Sequence, residues 1–227
     1  MRSRSPKGTN LTLHLSKYKI TYISVPKVAC SSLKRFFFEI DNGFAFRVFR
    51  TNGKRYGVHQ FAVSKALVDI PPITMADHVR IAAVRDPWRR ILSCYVSKVA
   101  AEKAGLNKVK FTPEQKKLGM VATPSIDNFV DLLPHYQAVS GPIRSHSRPL
   151  SYYLGHDPAF FDRLFPMSRL SEMVDYVADR IGNVPALPHN NKSSKTDLDI
   201  PQAALDRNKQ KIEDIYTEDL DIFGAYM

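Results

Sequence analysis

The sequence predicts an α/β fold with a central parallel sheet flanked by helices, and three observations carry that expectation. Two strand-like runs, Lys17 to Val25 (KYKITYISV) and His78 to Val84 (HVRIAAV), are each followed by a short turn and then by apolar residues at helical spacing. Repeated strand-to-helix units place their strands side by side and parallel. The second run is apolar almost throughout, as a strand covered on both faces must be.

Taken in order, residues 1–16 read as a flexible basic arm and residues 17–227 as a single domain, long enough to bury a sizeable core. The first strand, Lys17 to Val25, is rich in Ile, Tyr, Val and Thr and stops at Pro26. Leu33, Phe36, Phe37 and Ile40 then follow helical spacing, so Ser31 to Ile40 is expected to be an amphipathic helix closing at Asn42-Gly43. After the second strand, Asp86 can cap the next helix and Pro87 suits its first position. Trp88, Ile91, Leu92, Tyr95, Val96 and Val99 form its apolar stripe. Residues 102–124 are basic and irregular, a long surface excursion that could serve as a lid or substrate loop. Ser125 starts a short helix, residues 134–158 read as loop-rich, and Phe160 to Phe165 as a further strand. Leu170 to Ile181 makes another helical stripe ended by Gly182, residues 183–200 a loop, and Pro201 opens a last helix running to about Tyr216.

Thirty-three Lys and Arg against 22 Asp and Glu leave the chain at +11, which calls for an anionic partner of some kind. The two cysteines, Cys30 and Cys94, have no CxxC or Cys/His spacing, which argues against a structural zinc site and against a disulfide scaffold. The basic start has no apolar run behind it, and no stretch approaches the ~18 apolar residues of a membrane span. These features lead us to expect a soluble, cytoplasmic protein, peripheral to a membrane at most.

Chemistry concentrates at the two strand-to-helix junctions. The first reads VPKVACSSLKR. A helix N-terminus presents free N–H groups and the positive end of its dipole, so Lys27, Ser31 and Ser32 placed there would cradle a phosphate-like anion. The Gly-x-x-x-x-Gly-Lys-Ser/Thr loop of nucleotide-binding proteins is not present, because this segment has no glycine and its lysine comes early. Taken alone, a plain strand end with a serine cap explains the segment equally well. The second junction reads VRDPWRRILSCYVSK. Arg85 stands at the carboxyl end of a parallel strand, where α/β folds bind ligands, and Ser93 lies two helical turns on, so the pair could share one phosphate. An ion-paired arginine and a helix serine at the edge of the core are the plain alternative.

Together, and in this order, the two segments resemble the donor-binding motifs of the carbohydrate sulfotransferases of the Golgi type (sulfotransferase family 2), among them the chondroitin and uronyl 2-O-sulfotransferases. PKVACSSLK is similar to their 5′-phosphosulfate loop, and RDPxxRxxSxY to their 3′-phosphate signature. Weaker likenesses run through SIDNFVDLLP, SHSRPLSYYL, FDRLFPMSRLSEMVDYVADRIG and IYTEDLDIFG. The resemblance implies a P-loop-like three-layer fold and 3′-phosphoadenosine 5′-phosphosulfate (PAPS) as sulfuryl donor, with no metal required. It implies a hydroxyl of a glycan, which can itself be anionic, as acceptor, and the chain shows no helix-turn-helix, zinc-finger or aromatic RNA-binding motif, so no nucleic acid is expected as partner. By the same resemblance Lys27 meets the bridging oxygen and the 5′-phosphate. Val28, Ala29, Cys30, Ser31 and Ser32 hold the phosphosulfate, and Arg85 and Ser93 hold the 3′-phosphate. The absence of an anchor fits a soluble, bacterial-type member better than a Golgi enzyme.

Transfer to a hydroxyl needs a base. Of the histidines at 14, 59, 78, 135, 146, 156 and 189, His59 is the choice. It stands between the two motifs, in a place that resembles that of a histidine in uronyl 2-O-sulfotransferases. His146 is the alternative and, with Arg148, a candidate for the acceptor side. Lys192 and Ser193 could close over the nucleotide, although a solvated loop explains them as well. The rival readings are a P-loop-like nucleotide-binding kinase and a non-enzymatic binder of an anionic polymer.

Overall fold

The computed structural model describes residues 13–188 and 200–227. The chain enters through β1 (Leu13–Leu15), turns at Lys19 in the left-handed conformation (φ 51°) and returns as β2 (Ile20–Ile23). Residues 13–15 therefore belong to the sheet rather than to the expected arm, and the earlier residues lie outside those described. The reason is the alternation Leu11, Leu13, Leu15, whose period of two puts Leu13 and Leu15 into the core. Next, α1 (Cys30–Asn42) closes at Gly43 in the left-handed conformation, whose N–H bonds back to Glu39 at 2.8 Å. Tyr22 of β2 stacks on Phe37 of α1 with ring centroids 4.8 Å apart. A small hairpin, β3 (Phe49–Thr51) and β4 (Lys54–Tyr56), turns on Asn52-Gly53, both at positive φ, and leads straight into α2 (Val58–Phe61).

Strand β5 (Val79–Val84) is followed by α3 (Pro87–Cys94), with Asp86 as its cap accepting the Arg89 N–H at 2.9 Å. The helix continues as a π-helical turn, Tyr95–Ala100. The basic excursion holds a 3-10 turn (Leu106–Lys108) and a short helix, α4 (Pro113–Lys117), and is pinned by the buried residues Ala104, Leu106 and Met120. Ser125 caps α5 (Ile126–Asp131).

Residues 134–158 correct the expectation of loop. They fall largely within α6 (Leu133–Val139), α7 (Gly141–Ser147) and α8 (Leu150–Leu154). Their prolines sit in first turns, where the missing N–H costs nothing, and Ser140 caps α7. Punctuation that reads as loop is here a series of helix starts. The last elements are β6 (Arg163–Pro166), α9 (Leu170–Ile181), α10 (Gln202–Ile215) and α11 (Thr217–Phe223).

The sheet order is β1-β2-β5-β6. Strands β2, β5 and β6 are parallel, in register Ile20↔Val79 and Ile81↔Arg163, and only the edge strand β1 runs antiparallel. This is an α/β fold with a central parallel sheet. Ile81 to Val84 are fully buried, as a strand covered on both faces requires. One core surrounds the sheet. A second is all helical and gathers Trp88, Ile91, Phe129, Tyr136, Ile143 and Ile212. An ion pair with no solvent exposure ties α3 to α11, Arg90 Nη1 to Asp219 Oδ2 at 3.6 Å. Asp219 also accepts the N–H groups of Leu150 and Ser151, at 2.6 and 2.9 Å. Among the described residues no helix is long and apolar enough to cross a membrane.

Candidate active site

Parallel pairing of β2 and β5 brings their carboxyl ends, and hence the two junctions, side by side. The loop between β2 and α1 has positive φ at alternate positions, Lys27 (67°) and Ala29 (49°), with Val28 between them on the ordinary side. Alternation of this kind turns successive backbone N–H groups toward one point and forms an anion-binding concavity. Neither residue is glycine, so each carries a strain of about 1 kcal/mol or more. Val28 is buried and anchors the loop, while Cys30 and Ser31, half-buried, open α1. Ser32 lies in the first turn of the same helix and is buried.

Arg85, at the end of β5, donates from Nη1 to the carbonyl of Lys27 at 3.2 Å. The Lys27 ammonium reaches Ser97 Oγ in the π-helical turn at 2.5 Å. Burial, followed by the charges of Lys98 and Arg85, lowers the Lys27 pKa from its ordinary value, and the nearby thiols of Cys94 and Cys30 oppose this. Asp86, the acid nearest Arg85 in the chain, is engaged in capping α3. Ser93 is half-buried on α3.

His59, on α2, is carried to α1 by the hairpin. Its Nε2 lies 2.7 Å from Ser31 Oγ, and its Nδ1 lies 3.5 Å from Lys34 Nζ. As a residue it is exposed, but its ring is partly desolvated where it meets α1. That desolvation, then the charges of Lys34, Lys98, Arg35 and Lys27, lower its pKa to about 4, so the ring is neutral at physiological pH. His146, on α7, donates from Nδ1 to the Pro142 carbonyl at 2.7 Å, which leaves its Nε2 without a proton. Burial, Lys98, Lys27 and His59 hold its pKa at about 4, against the raising effect of that carbonyl. It therefore stands within the electrostatic reach of the same site. Arg148 has turned elsewhere, with its guanidinium 4.0 Å above the ring of Tyr152 and its carbonyl accepting from Arg90. Lys192 and Ser193 lie outside the described residues.

Two groups join the site that the motif reading passes over. Lys34, one turn after Ser31, is 1% exposed and donates to Ser64 Oγ at 3.0 Å. Ser97 receives Lys27. Their signal was only their spacing, i+3 from Ser31 and i+4 from Ser93, which is too common to single them out. Arg35 adds a further cation, its Nε buried without a hydrogen-bond partner. Among the described residues, Lys27, Lys34, Arg35, Arg85 and Lys98 form no ion pair with a carboxylate. A cluster of unneutralised cations beside an anion-shaped loop fits a ligand carrying several negative charges. Among the described residues no group of three or more His, Cys, Asp or Glu side chains stands together as a metal site.

The pattern that defines the sulfotransferase family matches residues 12–226. No curated protein and no solved structure matches the chain.

Proposed function

The chain belongs to the sulfotransferase family, and we propose that it moves a sulfuryl group from PAPS to a hydroxyl of a carbohydrate. The observation that carries the donor assignment is the bond from Arg85 to the Lys27 carbonyl, which makes one cationic site out of two junctions 58 residues apart. In this reading the N–H groups of Val28, Ala29 and Cys30, with Ser31 and Ser32, hold the phosphosulfate. Lys27 faces the bridging oxygen, where charge develops as the sulfuryl group leaves. Arg85 and Ser93 hold the 3′-phosphate. The donor, when bound, supplies an activated sulfuryl group, and the chain supplies position and charge. Lys27, bonded to Ser97 in this structure, has to exchange that partner for the donor.

His59 takes the proton of the acceptor hydroxyl in this proposal. A neutral ring is the form that can do so, and a polyanionic donor beside it raises its basicity from the low value of the empty site. His146, whose Nε2 is already bare, is the competitor for that role, and Arg148 would have to leave the Tyr152 ring to meet the acceptor. The +11 charge of the chain supports an acceptor that is itself anionic.

The donor assignment is tested by thermal stability with adenosine 3′,5′-bisphosphate, the spent donor, against ATP and AMP. A ligand held only by the folded chain raises the midpoint by mass action. A rise for the bisphosphate alone supports the assignment, and no rise at saturation refutes it.

A further inference from the structure

A fully buried lysine without a carboxylate partner demands an explanation, because burying an unpaired ammonium is costly. Lys34 is such a residue. Its Nζ has two side-chain neighbours within hydrogen-bond reach, Ser64 Oγ at 3.0 Å and His59 Nδ1 at 3.5 Å. Ser64 is in turn bonded to Ser24 at 2.8 Å. A chain of contacts thus runs from Ser31 through both nitrogens of His59 to Lys34 and into the protein.

The proton count along this chain is constrained. An ammonium has donors only. Facing charged Lys34, Nδ1 of the neutral ring must be the acceptor, so the single ring proton sits on Nε2 and is donated to Ser31 Oγ. In that form Nε2 cannot accept a proton. A neutral amine at Lys34 reverses the arrangement. It accepts the hydrogen bond of an Nδ1–H and leaves the Nε2 lone pair bare.

We propose that Lys34 is a positioning residue for His59: its ammonium holds the ring in the tautomer that cannot act as a base, and its neutral amine releases Nε2 to do so. The proposal rests on the reading of His59 as the base. In the released form the acceptor hydroxyl gives its proton to Nε2, and the Nδ1 proton passes to the Lys34 amine. The acceptor oxygen bonds to sulfur, and the electron pair of the broken S–O bond leaves on the donor phosphate. Reversal of the relay, with Nε2 giving its proton to water after product departs, resets the site.

Geometry and burial agree on the accessibility of the switch. Desolvation lowers the Lys34 pKa to about 8, opposed by the thiol of Cys30 on the same helix. The groups that face the pair are Cys30 and Arg35 of α1, Lys27 of the loop, Lys98 of the π-helical turn and His146 of α7. Apart from the thiol and the histidine they are cations, and they disfavour a second proton on the His59 ring. A bound anionic donor would move the transition to higher pH.

The test is nitrogen NMR of the full chain carrying labelled histidine, from pH 6 to 10, with His59→Gln to assign the signals. The expected result is a change of the His59 ring from the Nε2–H to the Nδ1–H form on the alkaline side of neutral. Lys34→Met, which keeps the volume, abolishes that change. The kcat/KM of the wild type, which reports the donor-free chain, rises through the same inflection, and that of Lys34→Met has none. Lys34→Arg, always charged and only a donor, shows no such rise and is roughly tenfold or more slower than the wild type above the inflection. One tautomer throughout, or the same change in Lys34→Met, overturns the proposal. So does full activity of Lys34→Arg, which would mean that charge alone matters. If Lys34→Arg does not fold, the wild type and Lys34→Met decide the question. Failure of the base reading looks different: His59→Ala remains active while the tautomer change persists. If His59→Ala is inactive and the tautomer never changes, the base reading stands and Lys34 has no part in it.

Discussion

Arg85 holds Lys27 by its main chain: Nη1 donates to the Lys27 carbonyl at 3.2 Å, so the guanidinium at the end of β5 braces the loop that follows β2. Loss of Arg85 therefore acts twice, on its own contact and on the shape of the loop. Arg85→Ala is expected to abolish the bisphosphate-induced rise in melting midpoint while lowering the unliganded midpoint only slightly, since one hydrogen bond is worth about 1 kcal/mol. Arg85→Lys restores little of the binding, because a point charge does not reproduce the planar fork. Isothermal titration of both variants with the bisphosphate checks this, and wild-type affinity in Arg85→Ala would refute it.

Ala29 occupies the left-handed region at φ 49° as the residue preceding α1. Glycine adopts that conformation without the Cβ clash and is tolerated at a helix N-cap. Ala29→Gly is expected to stabilise the chain by about 1 kcal/mol in denaturant titration. If it destabilises instead, the left-handed loop is not the conformation in solution.

Both His59 and His146 are held at about 4, below the ordinary 6.5. Between those values the unfolded chain binds protons that the folded chain does not, so stability falls as pH drops from about 6.5 toward 4 and levels off below. Replacing both with glutamine should flatten that part of the stability-pH curve. Unchanged slope in the double variant would show that the rings titrate normally.

Lys34 acts with the same sign in an alkaline window. Its pKa of about 8 lies below the ordinary 10.5, so burying its charge weakens the fold below pH 8, and that penalty fades as pH rises toward 10.5. Lys34→Met is expected to be more stable than the wild type at pH 7, by up to about 3 kcal/mol, with the gain shrinking between about pH 8 and 10.5. A variant less stable than wild type at pH 7 would mean that the bond to Ser64 outweighs the desolvation of the ammonium.

Arg90 and Asp219 are a different kind of buried charge. Asp219→Ala leaves Arg90 without its carboxylate and the N–H groups of Leu150 and Ser151 without their acceptor. The expected loss is about 3–5 kcal/mol. A loss under about 1 kcal/mol in chemical denaturation would show that the pair is dispensable.

Much of the fold is legible in local pattern. The stripe from Trp88 to Val99 and the cap at Asp86 place α3, and the apolar run to Val84 marks a strand covered on both faces. The hairpin at Asn52-Gly53 has a turn signal, but its strands are three residues each, too short for alternation to show. Residues 134–158 mislead because proline and serine belong to helix starts as much as to loops, and only the burial of Tyr136, Ile143 and Leu150 decides which.

The sequence by itself determined the parallel α/β scaffold and the two anion-friendly junctions, because strand periodicity, helix spacing and caps are encoded within a few residues. Family membership was legible for the same reason, in short motifs. Only the tertiary structure decided that Arg85 braces Lys27 and that Lys27 meets Ser97. It likewise decided that His59 stands between Ser31 and Lys34. Each of these contacts joins residues 25 to 70 positions apart, through strand pairing and helix packing that no local pattern specifies. The protonation of His59 and Lys34 was decided there too, because it follows from desolvation and from which cations the packing brings together.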